Sequence, residues 1–566
     1  MTARIMIQLT LHGAMLACVM LFLSACADPT TAPADQAAQK PATVGFTDVT
    51  AEAGLGDFRH VTGAFGEKWF PETMGSGGGF LDYDGDGLAD VVLVAGGTFP
   101  STGEEAGPAL RLYRNGGEGR FVEVTEIAGL ADVRAYAFGV TIADYDNDGD
   151  EDIFTTTLYE NLLLRNDSGV FREIGQQAGL AGDAQWSSAA AFIDADRDGW
   201  LDIYVGNYVE WSPEKDIFCT RVAGRKAYCT PELYKGVSGR FYHNNGDGTF
   251  TDRTDARGFT DRTGKTLGVL AVDYNRDGWP DLMVANDTQR DLLYENQGDG
   301  TFVEKGLYSG IAFDENGRAR AGMGVDAGVL DTTGEVTITV GHFTSEMIGV
   351  YRHAKDGFFI DRAAVSQIGR PSLRTLTFGL FLFDVDLDAD LDLLAANGHI
   401  TEDIELVEDG ISYRQKVQLY LNNGEARFDV IEPIETRLVA RGAAYGDYDG
   451  DGDLDVLVME NGGGARLWRN NLDDGRYLRV RLQGAQSNRS GIGSRLVIQT
   501  GSRRQERYVR AGMSYLSHAQ TTPVFGLADA EWVDSLWVYW PSGVTDRLGS
   551  LAPNQEIRVH EGMPVP

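Results

Sequence analysis

Apolar residues along this chain come in short runs, such as "VVLV" at 91–94 and the "IYV" of "DIYV" at 202–205, each entered directly from a cluster of aspartates and glycines. Runs of this kind, bounded by turn-forming residues, predict buried β-strands. A second pattern follows: "LYRNGGEGRFVEVT", "LLLRNDSGVFREI", "FYHNNGDGTFTDRT", "LLYENQGDGTFVEKG", "VYRHAKDGFFIDR" and "LYLNNGEARFDVI" each predict two short strands joined by an Asn/Gly turn. Near the C-terminus the alternation in "LWVYW", 536–540, predicts further strands.

The aspartate clusters repeat. "DYDGDGLAD" from Asp82 recurs as "DYDNDGDED" from Asp144, "DADRDGWLD" from Asp194, "DYNRDGWPD" from Asp273, "DVDLDADLD" from Asp384 and "DYDGDGDLD" from Asp447. "VLDTTGEVT" from Val329 fills the long gap before Asp384 as a decayed copy. Its frame is checked by a small residue five positions ahead of every copy: Gly77, Gly139, Ala189, Gly268, Gly324, Gly379 and Gly442. The seventh repeat stops at "LWRNN", 467–471, and its missing half, "GFTDVTAEAGL", stands at 45–55. Repeats split in this way close into a ring, so the expected fold is all-β: a seven-bladed β-propeller over 45–471 closed by an N-terminal strand, with a small mainly-β domain over 472–566. An open solenoid would need capping repeats, and none is visible.

These repeats resemble the FG-GAP (VCBS-type) repeats of integrin alpha chains and their bacterial relatives. The C-terminal stretches "LRVRLQGAQSNRSGIGSRLVIQTGSRRQ", "VDSLWVYWPSG" and "NQEIRVHEG" resemble the ASPIC/UnbV domain that follows such a propeller in the cartilage acidic protein family. The resemblance implies a binding or adhesion module.

Calcium takes six to eight oxygen ligands, and alternate side chains of a tight loop turn to one side. The expected ligands stand at the first, third, fifth and ninth loop positions. They are Asp82, Asp84, Asp86 and Asp90; Asp144, Asp146, Asp148 and Asp152; Asp194, Asp196, Asp198 and Asp202; Asp273, Asn275, Asp277 and Asp281; Asp384, Asp386, Asp388 and Asp392; and Asp447, Asp449, Asp451 and Asp455. Position 12 carries no acid, which excludes an EF-hand. The competing reading is that the aspartates only build Asx-turns, but so many clustered carboxylates repel one another without a cation. About six calcium sites are expected. The fifth loop is expected to be empty, because Val329, Thr333 and Thr337 replace ligands, and Ala389 is expected to strain the sixth turn.

Three insertions, "GGTFPSTGEEAGPA", the segment holding Cys219 and Cys229, and "NGHITEDIELVEDGISYRQ", rise on the face away from the loops, joined by "HVTGAFGEKWFPETMG" at 60–75. The candidates for a glycan or protein ligand there are His60, Glu72, Tyr136, Trp186, Lys265, His342, His399 and Arg441. The alternatives are that aromatic residues seal the central channel there, or that this face belongs to an enzyme acting on polysaccharide. No catalytic motif is present: neither H-E-x-x-H nor G-x-S-x-G occurs.

Charge narrows the partners. Acids outnumber bases by 84 to 49, a net charge of -35, which excludes nucleic acid. Residues 1–25 read as a secretory signal ending in "LSAC", a lipobox whose Cys26 would carry lipid, and 26–44 as a flexible tether. The expected location is extracytoplasmic and lipid-anchored, at the outer membrane or cell surface, which Ala27 favours by the sorting rule that the lipoprotein resemblance implies, with the lipid as the only membrane contact. Cys219 and Cys229 are expected to form a disulfide in that oxidising setting.

Overall fold

A computed structural model of the chain describes residues 44–99, 107–182, 184–220, 224–354, 357–472 and 475–563. The signal segment, Cys26, nearly all of the tether and the centre of the first insertion lie outside the described residues.

Seven four-stranded antiparallel meanders are present among the described residues, one for each repeat. The first runs Gly78–Leu81, Asp90–Val94, Leu110–Asn115 and Phe121–Glu123, and the aspartate loop joins its first two strands. The innermost strands of the others are Ala137–Ala143, Ser187–Ile193, Thr266–Val272, Val325–Val329, Thr377–Phe383 and Ala440–Gly446. Each touches the next in cyclic order, and the last touches the first, which is the arrangement of a β-propeller. The decayed repeat forms the fifth sheet. Phe46–Asp48 pairs with Ala465–Asn470, Phe46 opposite Asn470, so the N-terminal strand completes the seventh sheet.

Alternate side chains of the strands fill the seams between sheets, as the period of two requires. Leu81, Val92, Val94 and Leu112 meet Ile142, Ile153 and Leu164 in one such seam. The small residue five positions before each loop now has a reason. A Cβ on Gly77 would lie 2.0 Å from the Leu516 carbonyl oxygen, and one on Gly139 2.9 Å from Leu516 Cα. At or beside this position the innermost strand slips register in the second, third, fourth, sixth and seventh sheets, a bulge that bends it.

Leu516 belongs to the C-terminal part of the chain, which is two small sheets. One orders Val524–Gly526, Tyr477–Gln483 and Gln555–His560; the other orders Arg503–Tyr508, Arg495–Thr500, Ser535–Tyr539 and Thr545–Leu548. Between them, residues 509–520 enter the ring. Phe192 N–H donates to the Ala511 carbonyl at 3.1 Å, Val325 and Ser514 exchange backbone bonds at 3.2 and 2.9 Å, and Val140 N–H donates to Leu516 at 3.2 Å. Ser517–His518 pairs in parallel with Gly78 and Gly79, and Tyr515 Oη reaches the Met74 carbonyl at 2.8 Å. The segment plugs the central channel, and ring and C-terminal part form one compact unit.

Candidate functional site: the aspartate loops

The loops share one hydrogen-bond plan. The first aspartate accepts, through Oδ2, the N–H of the sixth residue: Gly87 to Asp82 at 3.0 Å, Gly149 to Asp144 at 3.0 Å, Gly199 to Asp194 at 3.2 Å, Gly278 to Asp273 at 3.0 Å, Ala389 to Asp384 at 3.1 Å and Gly452 to Asp447 at 3.0 Å. That sixth residue has φ between +81° and +108° in all six loops. Glycine supplies this left-handed conformation five times; Ala389 adopts it at +81°, the strain expected of the sixth turn. The fifth-position aspartate caps the N–H two residues on, as Asp86 does for Leu88 at 2.9 Å, so the Asx-turn reading holds for that position.

The ninth-position aspartate is the buried anchor. Asp90 Oδ1 accepts Asn115 N–H at 2.7 Å while Oδ2 accepts Tyr83 N–H at 3.0 Å. The asparagine of the second signature then reaches out of its own sheet: Asn115 Nδ2 donates to Tyr448 O at 2.7 Å, Asn166 to Tyr83 O at 2.8 Å, Asn244 to Tyr145 O at 3.0 Å, Asn296 to Ala195 O at 2.8 Å, Asn422 to Leu330 O at 2.9 Å and Asn470 to Val385 O at 2.7 Å. Each asparagine staples its loop to the loop of the preceding sheet. The recurrence of this residue signalled a role, but nothing in its spacing told which carbonyl it would meet.

These bonds leave oxygens over. Buried and without a partner are Oδ1 of Asp82, Asp144, Asp273 and Asp384 at the first position, and Oδ1 of Asp84, Asp386 and Asp449 at the third. In four loops the first, third and ninth carboxylates bring one oxygen each within 4.8 Å of one another: Asp82, Asp84 and Asp90; Asp144, Asp146 and Asp152; Asp384, Asp386 and Asp392; Asp447, Asp449 and Asp455. Burial and the neighbouring charges push Asp90 and Asp144 up to about 7 and Asp152 up to about 9. A buried carboxylate oxygen with no donor is costly, and oxygens converging in this way fit a hard divalent cation. In the fourth loop Asn275 takes the third position and donates to Asp277 at 3.1 Å; this loop has one carboxylate fewer there, and Asp273 Oδ1 is again unpartnered. The third loop gathers Asp196 and Asp198 with a histidine, His243, which the sequence reading passed over. In the fifth, Arg352 sits 3.1 Å from Asp331 and donates to Thr333 Oγ1 at 3.0 Å, so a guanidinium stands at the decayed loop.

The face carrying the loops is partly covered by the C-terminal sheets. Arg479 pairs with Asp447, Arg507 lies 3.5 Å from Asp384, and Arg481 lies 3.9 Å from Asp82. These are first-position aspartates.

The opposite face corrects an expectation. His60, Glu72, Tyr136, Trp186, Lys265, His342, His399 and Arg441 do come to that side of the ring, but none is more than 5 % exposed. They are spent on the fold. Arg441 donates to the carbonyls of Thr73, Gly398, Ala440 and His399; Lys265 Nζ donates to Pro231 O at 2.7 Å. Glu72 accepts Trp69 N–H and Tyr228 Oη, each at 2.9 Å, Tyr136 Oη donates to Thr62 O at 2.6 Å, and His60 Nδ1 accepts Gly462 N–H at 3.1 Å. His342 Nδ1 is 2.8 Å from Met347 O, and His399 Nδ1 accepts Thr401 N–H at 3.0 Å. Trp186 packs among Phe70, Phe138 and Tyr208. Burial lowers His60 and His342 to about 3, which leaves both neutral. The aromatic residues seal the channel mouth over Tyr515, and no open ligand mouth lined by these eight is formed. Above them, the Cys219–Cys229 disulfide is formed with Cα atoms 5.3 Å apart. Lys68 pairs with Glu402 at 2.8 Å, tying segment 60–75 to the third insertion.

Comparison with known proteins agrees with the repeats and the C-terminal part. The FG-GAP-like repeat family matches residues 82–155, 215–284 and 273–334, and the ASPIC and UnbV family matches 484–564. Cartilage acidic protein 1 of Mus musculus is 23% identical over 520 residues, 84% of this chain and 71% of the relative. The Homo sapiens protein of the same name is 24% identical over 281 residues, 46% of this chain and 39% of the relative. Among solved structures, an Agrocybe aegerita lectin that recognises non-reducing terminal N-acetylglucosamine aligns with TM-score 0.37 and 18% identity over 63% of this chain and 80% of its own. BBS1N in complex with ARL6DN aligns with TM-score 0.37 and 10% identity over 70% and 91%. The chain carries FG-GAP-like repeats in its ring and an ASPIC and UnbV domain at its C-terminal end, and across both it is similar to cartilage acidic protein 1.

Proposed function

We propose that this protein is a calcium-stabilised, extracytoplasmic binding module, anchored by lipid at Cys26 and presenting its insertion-bearing face to a glycan or protein partner. The observation that carries the calcium part is the set of buried, unpartnered carboxylate oxygens at the first and third loop positions. Six ions, one for each loop other than the fifth, would bring the net charge from -35 to about -23. The disulfide agrees with an oxidising compartment, and among the described residues no helix is long and apolar enough to cross a membrane.

The partner would meet the insertions rather than the sealed residues beneath them. Phe65, Phe218, Leu233, Leu406 and Val407 stand exposed there, on segments tied to one another by Lys68–Glu402 and Tyr228–Glu72. Exposed apolar side chains grouped with polar ones are what a recognition surface offers. A glycan and peptide array probed with the full chain tests this. Binding that Phe218→Ser and Leu406→Ser weaken supports it; binding that both variants keep unchanged, or turnover of a polymer with no stable binding, contradicts it.

A further inference from the structure

We infer that the third loop holds a divalent transition-metal ion of the Zn2+ class, through His243 with Asp196 and Asp198, His243 being held in place by Asp202, where its neighbours hold a hard cation. The inference rests on reading the loops as cation sites and adds a second metal chemistry to one of them.

The position in question precedes the stapling asparagine on the third strand of each sheet. It is Arg114, Arg165, Glu295, Leu421 and Arg469 in five sheets and Arg352 in the decayed one. In the first sheet Arg114 shows where this side chain goes: Nε is 2.7 Å from Asp84 and Nη2 is 3.1 Å from Asp86, directly over the third and fifth positions. In the third sheet an imidazole takes that place. His243 Nδ1 is 2.9 Å from Asp202 Oδ1 and 4.0 Å from Asp196 Oδ2, and a ring nitrogen gathers with Asp196 and Asp198 oxygens within 4.8 Å.

A separate observation sets this loop apart. Asp202 is 1% exposed and its Oδ2 has no partner. In the first, second, fourth, sixth and seventh loops the equivalent oxygen accepts the N–H of the second loop residue, at 3.0 to 3.3 Å. The third loop lacks that bond among the described residues. The carboxylate beside His243 therefore has a free, buried acceptor that no other loop leaves at this position.

An imidazole nitrogen among carboxylates changes the preferred ion. Calcium selects oxygen donors, whereas imidazole suits zinc, copper, iron and nickel, and zinc accepts mixed nitrogen and carboxylate ligands. Arg257 already lies 2.5 Å from Asp196 Oδ2, and Asp194 spends both oxygens on loop N–H groups at 3.1 and 3.2 Å. The cluster thus offers His243, Asp198 and the remaining oxygen of Asp196, while Asp202 Oδ1, 2.9 Å from His243 Nδ1 and accepting Asn244 N–H at 2.8 Å, orients the ring from behind.

The test uses the full chain without an affinity tag, stripped with chelator, saturated with Ca2+ and titrated with Co2+ as a visible-absorption probe. One equivalent of Co2+ is expected to bind with a ligand-field band, to be displaced by Zn2+ and not by Ca2+. His243→Asn is expected to abolish the band and weaken binding by at least ~10-fold. In the unaltered protein Co2+ is expected to shift the ring signals of His243, a readout that does not depend on a variant folding. No band in Ca2+-saturated protein, a band retained by His243→Asn, unshifted His243 signals, or displacement by Ca2+ overturns the proposal, leaving His243 and Arg257 as internal counter-charges. The calcium-dependent melting shift is read separately: a Co2+ band without that shift keeps this site and removes the calcium reading of the others.

Discussion

Gly452 and Gly87 occupy the same loop position with φ of +99° and +89°, yet their surroundings differ. A Cβ on Gly452 would fall 1.8 Å from Tyr477 Cε1, whereas a Cβ on Gly87 meets nothing within 4 Å. Gly87→Ala is therefore expected to cost only the backbone term, ~1–2 kcal/mol. Gly452→Ala adds overlap with the C-terminal domain and is expected to cost clearly more; equal losses in denaturant unfolding would contradict the contact. The buried histidines set an acid limit. His60 and His342 are held at about 3, below their ordinary 6.5. The unfolded chain takes up their protons as pH falls through 6.5 while the folded chain does not, so their contribution is intact above pH 6.5 and is lost between there and about 3. His342→Gln is expected to flatten the fall in melting temperature between pH 6.5 and 4; an unaltered slope would contradict this. Residue identities showed which groups stood near the channel mouth, but not that Tyr136 and Trp186 would share a buried cluster with Tyr515, a residue of the C-terminal part that carries no motif.

At the scale of elements, the aspartate loop and the asparagine hairpin act as one joint. The ninth aspartate fixes the hairpin of its own sheet, and the asparagine fixes the previous sheet, so the loops form a chain of bonds around one face. Asn166→Ala would strand the buried carbonyl of Tyr83, a loss of ~1–3 kcal/mol. The same change at exposed Asn423, next to the staple of the sixth sheet, is expected to stay within ~0.5 kcal/mol; similar losses at the two sites, measured by chemical unfolding, would contradict the staple. The repeats were legible because each copy repeats the same turn chemistry and the same small residue. Ring closure was legible because a half-repeat stands at each end. The small residue was seen without its cause, since the crowding atoms come from the neighbouring sheet's chain, Met323 O at Gly268, Phe378 O at Gly324 and Arg441 O at Gly379, and from Leu516 at Gly77 and Gly139.

For the whole molecule, the plug makes the ring and the C-terminal domain mutually dependent. "AGMSYLSHAQ", 511–520, has no periodicity that announces a strand or helix, because apart from one bridge between Met513 and Ser517 its backbone partners are mostly the innermost strands of the ring. Across the boundary expected at 471 and 472 the strands change from the ring's sheets to the C-terminal ones, and both parts pack in one compact unit. Calorimetry is expected to show one cooperative transition for the full chain; two separated transitions would mean that the plug does not couple the parts. The arginines at Asp82, Asp384 and Asp447 extend the same dependence to the loops.

The central claim is that the aspartate loops are cation sites that fasten the ring, and thermal unfolding in saturating Ca2+ against excess EDTA tests it most directly. One site at a hundredfold excess over its dissociation constant contributes ~2.7 kcal/mol, and several loops act on one cooperative unit. The account predicts that EDTA lowers the melting temperature by at least ~5 °C and that Ca2+ restores it. Superimposable melting curves in Ca2+ and EDTA would contradict it.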